Sequence, residues 1–100
     1  MAVIEIHLRG KVAAGQRAAF DAFLLEAIPF YESPGGIRVR VLWSSADSNR
    51  FIEVIEYVDQ AAHDRDQLRV ESDVRMRDLL QRWRDLLEGP PLVETYTLGE

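Results

Sequence analysis

One hundred residues suit a single domain, spanning 1–100, and 47% apolar with 29% charged residues suffices for a packed core rather than a disordered chain. Twelve basic against seventeen acidic residues give a net charge of −5, which argues against a general binder of nucleic acid or anionic membrane. The absence of cysteine removes disulfides, thiolate nucleophiles and thiolate metal sites. No apolar run approaches the ~20 residues that span a bilayer. The N-terminal Val3-Ile4-Glu5-Ile6-His7 does not have the basic-then-apolar pattern of a signal peptide, so a cytoplasmic location is expected.

From Val3 to Arg9, Ile4, Ile6 and Leu8 alternate with Glu5, His7 and Arg9, the period of a half-buried strand. A helix follows from Gly15, with Phe20, Phe23, Leu24, Ala27 and Tyr31 on one face. Pro29 is expected to end or kink it near Ile28, because proline has no N–H and its ring crowds the preceding turn. Ser33-Pro34-Gly35-Gly36 reads as a loop, and Ile37 to Ser44 as a second strand. Asp47-Ser48-Asn49 reads as a hairpin turn leading into a third strand, Phe51 to Val58. Asp59 is the expected cap of a short helix ending near Leu68. A longer helix runs from about Asp73 to Leu87, with Met76, Leu79, Leu80, Trp83 and Leu87 as its apolar stripe. Gly89-Pro90-Pro91 then stops it, and Leu92 to Leu98 is the last strand.

The order β-α-β-β-α-β predicts an α+β, ferredoxin-like fold: a four-stranded antiparallel sheet with two main helices on one face. In the central hairpin, apolar segregation favours the register that puts Ile37, Val39, Val41 and Trp43 on one face with Phe51, Glu53, Ile55 and Tyr57. Arg38, Arg40 and Leu42 then share the other face with Ile52, Val54, Glu56 and Val58. That second face also receives His7, placing it near Arg38, Arg40 or Glu56. It has no helices left to cover it, so a partner subunit is expected there.

Glu53 is the anomaly of this pattern, a carboxylate between Phe51 and Ile55 on the helix-facing side. Burial would raise its pKa and suit it to act as a general base. The alternative is partial exposure at a sheet end or pairing with an arginine. Tyr57 ends the same strand, and its phenol is placed to orient a ligand or simply to pack. Trp43 and Trp83 are either aromatic walls or core. His63, beside Asp64 and Asp66, is either solvated or a proton carrier at a cleft mouth. Asp64 to Gln67 and Arg75 to Arg84 read as solvated faces, with Asp78 and Arg82 paired at i, i+4. No glycine-rich loop opens a helix, and two distant histidines make a transition-metal site unexpected. The third strand has no basic-Gly-aromatic pattern of an RNA-binding sheet. No histidine and acid accompany Ser44, Ser45 or Ser48 in sequence, so nucleophilic catalysis has no support.

Taken together, the first strand, Ala14-Gly15-Gln16-Arg17, Ser33-Pro34-Gly35-Gly36, Arg50-Phe51-Ile52-Glu53-Val54-Ile55-Glu56-Tyr57-Val58-Asp59-Gln60-Ala61-Ala62 and Leu87-Glu88-Gly89-Pro90-Pro91 resemble the antibiotic-biosynthesis-monooxygenase-type domains. These belong to the dimeric α+β barrel superfamily, and the resemblance covers nearly the whole chain. It implies a homodimer whose two sheets pack into a barrel, with a small-molecule cleft between helices and sheet in each subunit. The implied activity is cofactor-independent monooxygenation of an aromatic or polyketide-like molecule. Glu53 or His63 would be the base, and Trp43, Phe51, Tyr57, Phe23 and Trp83 the ligand-binding set. No cofactor or metal is expected. The alternatives are a non-enzymatic ligand-binding or dimerisation domain, or a cyclase or isomerase on the same scaffold. The haem-degrading members use an asparagine on the first strand, a tryptophan ending the third and a histidine in the following helical region. The nearest positions here carry His7 and Tyr57, so that activity is not expected.

Overall fold

The chain forms seven elements in a computed structural model, which describes residues 3–99. Alternating apolar residues make β1 (Ile4–Lys11), β2 (Ile37–Trp43), β3 (Arg50–Tyr57) and β4 (Leu92–Thr97). The helices are α1 (Arg17–Glu32), α2 (Gln60–Ser72) and α3 (Val74–Asp85). The sheet is antiparallel with strand order β2-β3-β1-β4, the ferredoxin-like arrangement.

The hairpin register is the one that segregates the apolar residues. Ile37 lies opposite Tyr57, Val39 opposite Ile55, Val41 opposite Glu53 and Trp43 opposite Phe51. At the turn, the Asn49 N–H donates to Asp47 Oδ1 at 2.9 Å. Gly36 precedes β2 at a φ of 74°, and a Cβ there would come within 2.9 Å of Val58 Cγ1. Both the backbone conformation and the close approach therefore call for glycine.

Pro29 does not end α1, which continues to Glu32. Proline removes one N–H, the partner of the Leu25 carbonyl, and Leu25 lies on the exposed face where water can serve that oxygen. Beyond Pro29 the helix is held from outside. The Arg69 guanidinium donates to the Phe30 carbonyl at 2.9 Å and the Tyr31 carbonyl at 2.7 Å. The same contact accounts for a second difference, because α2 runs past Leu68 to Ser72 and is as substantial as α3. Asp59 caps α2 by accepting from the Ala62 N–H. Asp73 ends α2 and caps α3 by accepting from the Met76 N–H.

One sheet face is covered. Ile4, Ile37, Val39, Phe51 and Tyr57 pack against Phe20, Phe23, Ala27 and Tyr31 of α1, Ala62 of α2, and Met76, Leu79 and Trp83 of α3. The other face has no helix. Val54 is buried there among its strand neighbours, while Leu42, Leu92, Tyr96 and Leu98 remain exposed. His7 does not meet Arg38, Arg40 or Glu56. Its Nε2 lies 2.9 Å from Glu5 Oε1, two residues away on the same face, and its ring centroid is 4.8 Å from that of Tyr96. Arg82 likewise turns from Asp78 to Glu26, giving two hydrogen bonds of 2.7 and 3.0 Å that tie α3 to α1.

Candidate functional site

The middle of β3 sets the geometry. Glu53 stands between Val41 of β2 and Leu8 of β1, so the pleat drives its carboxylate into the helix layer. It is 2% exposed and forms no ion pair among the described residues. Its Oε1 is buried without a hydrogen-bond partner, and so is Nε1 of Trp83. Burial pushes the Glu53 pKa up to about 7, against the opposing pull of the nearby Trp83 N–H, which falls short of hydrogen-bond geometry.

Both side chains border a cavity of about 160 Å³ between the sheet and helices α2 and α3. Ile6, Leu8, Ile55 and Val93 form its sheet side, and Val70, Met76 and Leu80 its helix side. Tyr31, Tyr57 and Asp66 add polar atoms to this apolar wall.

Tyr57 is held at one end of this wall. Its hydroxyl donates to Asp66 Oδ2 at 2.5 Å, and Asp66 Oδ1 accepts from Arg69 Nη2 at 2.9 Å. Arg69 in turn reaches the carbonyls that end α1. A fully partnered carboxylate, guanidinium and phenol thus join three elements. Burial, reinforced by the Asp66 carboxylate, raises the Tyr57 pKa far above its ordinary value. Burial and then the Glu53 charge do the same to Tyr31. Both phenols remain protonated at neutral pH.

Of the residues singled out from sequence, Glu53, Tyr57 and Trp83 meet at this cavity. Trp43 and Phe51 do not line it. They cluster with Phe20 at the other end of the hairpin, with centroids 5.0 to 5.9 Å apart, and the Arg17 guanidinium lies over the Trp43 ring. Phe23 is core, with Arg82 above its ring. His63 packs edge-on against Tyr57 at 5.1 Å and faces Asp64 and Gln60 outside the cavity.

Asp66, read from sequence as solvated, is buried and serves Tyr57 and Arg69. The helical spacing Ala62, Asp66, Arg69, Val70 carries the missed signal, because it places Asp66 on the same stripe as the buried Ala62. A larger depression of about 680 Å³ lies at the strand ends near Arg9, Lys11, Arg50 and Glu88. It has no buried titratable side chain, so the smaller cavity is the better place for chemistry. Among the described residues, no group of three His, Cys, Asp or Glu side chains is arranged to hold a metal ion. None of the helices described is long and apolar enough to cross a membrane.

This strand order, with the helices on one face, defines a ferredoxin-like α+β domain with the fold of antibiotic-biosynthesis-monooxygenase-type proteins. A conserved protein from Methanosarcina mazei superposes with a TM-score of 0.81 at 14% identity, covering 96% of this chain and 92% of that one. A variant of SnoaB, a cofactor-independent oxygenase from Streptomyces nogalater, gives 0.72 at 16% identity, covering 99% and 92%. Rv0793 from Mycobacterium tuberculosis gives 0.76 at 17% identity, covering 100% and 97%. No protein-family model matches the sequence, and no curated protein matches it significantly.

Proposed function

We propose that the chain is a cofactor-independent monooxygenase acting on a small hydroxylated aromatic molecule in the Glu53 cavity. The observation that carries this reading is the buried, unpaired Glu53 carboxylate at the edge of an apolar cavity. Stability alone would favour a β-branched residue at that strand position. A salt-bridged Glu53 beside a filled core would instead have suited a purely structural domain. The likeness to an oxygenase of the same fold adds support.

With a pKa near 7, Glu53 is partly ionised at neutral pH and is a stronger base than an ordinary carboxylate. It takes the hydroxyl proton of the bound ligand, while the Trp83 N–H faces the negative oxygen that forms. The aryloxide then gives electrons to dioxygen. For a phenol with a free para position, the para C–H carbon and the hydroxyl carbon both become carbonyls. One oxygen atom bonds to the para carbon, and the other leaves as water with the two hydrogens. The substrate supplies all four electrons, so phenol and dioxygen yield quinone and water without an outside reductant.

Oxygen uptake with a panel of para-unsubstituted hydroxyarenes tests this reading. Turnover is expected with at least one, falling ~10²–10⁴-fold in Glu53→Gln with the fold retained by circular dichroism. Equal turnover in the Gln variant, or no uptake with any member, overturns it.

We also propose that a second copy of the chain covers the helix-free sheet face. Leu42, Leu92, Tyr96 and Leu98 are exposed on it, and His7 Nδ1 is buried there without a partner.

A further inference from the structure

We infer that the ligand of this cavity has a single ring, and that its hydroxyl is held jointly by Glu53 and the Trp83 indole N–H. The inference rests on the reading of the cavity given above and adds the ligand's size and the group it presents.

Size comes from the walls. The cavity measures about 160 Å³, close to the ~150 Å³ apolar cavity that accepts benzene in another protein. Three fused rings exceed it. Nor can the wall give way cheaply at the Tyr57 end, where that residue is tied through Asp66 and Arg69 to the end of α1. On the sheet side, Ile6, Leu8 and Ile55 stand on paired central strands. A polycyclic form of the aromatic or polyketide-like molecule that the resemblance implies would have to leave most of its rings outside.

The presented group follows from the two orphaned atoms. Glu53 Oε1 is an acceptor without a donor, and Trp83 Nε1–H is a donor without an acceptor. Such groups are costly to leave unpaired in an apolar site. One hydroxyl satisfies both, since its proton goes to the carboxylate while its oxygen accepts from the indole. Against ionised Glu53, the form that acts as base, a ligand carboxylate would set two anions together and a carbonyl has no proton to give, while an ammonium has no lone pair for the indole. The apolar part of the lining, with Val70, Met76 and Leu80 facing Ile6 and Leu8, suits a ring.

The chain has two tryptophans, Trp43 and Trp83, so one indole N–H resonance reports on the cavity and the other on the aromatic cluster beside the hairpin turn. The full chain is titrated with 2-methylphenol, with toluene and with a three-ring hydroxyarene, followed by nitrogen–proton correlation spectra. The Trp83 indole signal is expected to shift with 2-methylphenol while that of Trp43 stays. Binding of 2-methylphenol should exceed that of toluene roughly fivefold to tenfold, the usual yield of a satisfied hydrogen bond. Glu53→Leu should bind toluene at least as well and lose the preference for the phenol. Glu53→Gln serves as a shape-conserving check on the same ratio.

Equal binding of toluene and 2-methylphenol overturns the shared-hydroxyl assignment. Tight binding and turnover of the three-ring compound with no binding of the one-ring phenol overturns the size assignment, while the oxygenase reading survives. Failure of every compound to move the Trp83 signal overturns both.

Discussion

Replacing Glu53 by Gln should change the pH dependence of folding stability in a calculable way. The folded-state pKa of Glu53 stands near 7 against an ordinary value of 4.5. Below about pH 4.5 the carboxyl is protonated in folded and unfolded chains alike, and burial carries no ionic penalty. Between the two values the unfolded chain has released the proton and the folded chain keeps it. Stability therefore falls as pH rises, by up to ~1.4 kcal/mol per pH unit. Above pH 7 the loss levels off near ~3 kcal/mol. The side chain is almost fully enclosed, so solvent screening takes little from this figure. Gln keeps the shape and does not titrate. Urea unfolding of both proteins at pH 4.5, 6, 7 and 8.5 should show the Gln variant gaining ~3 kcal/mol relative to the parent across the series. Parallel stability profiles within ~0.5 kcal/mol would mean that Glu53 is solvated or paired in solution, and would remove the basis for its role as a base.

The same carboxylate sets the pH profile of activity: kcat/KM should climb through about pH 7 as Glu53 ionises, and a flat profile from pH 5.5 to 8.5 would exclude it as the proton acceptor. Trp83→Ala should cost ~3–5 kcal/mol in equilibrium unfolding, since the ring is buried against Phe51; a loss under ~1 kcal/mol would contradict its core position. Asp66→Ala strips the Arg69 charge and the Tyr57 hydroxyl of their shared partner and should cost ~3–5 kcal/mol, measured by the same titration; a neutral result would show the brace to be unimportant. Sedimentation at micromolar concentration should give a dimer burying more than ~1,000 Å², and a stable monomer would leave the open sheet face without its proposed partner.

Much of this architecture is written in local pattern. Alternation along Ile4–Lys11, Ile37–Trp43 and Arg50–Tyr57 defines strands because successive side chains point to opposite faces. The hairpin register follows from the same rule, since the other pairing would mix charges into both faces. Once the register is known, Glu53 has no place to go but the helix layer, and its anomaly is readable from sequence. Asp59 and Asp73 mark helix starts because a cap bonds an N–H three residues on.

What sequence could not supply lies between distant segments. Asp66 is buried because Tyr57 and Arg69 converge on it, and Arg69 lies half-buried over carbonyls 38 and 39 residues earlier that it serves as donor. That convergence also carries α1 past Pro29 and α2 past Leu68. The aromatic set divides for a related reason. Phe51 and Tyr57 share one face of β3, but at ~3.3 Å per residue they stand ~20 Å apart along it, so a ring-sized cavity reaches only one of them. Periodicity assigns a face. Position along that face, and therefore which residues share a site, is decided only when helices α2 and α3 settle on the sheet.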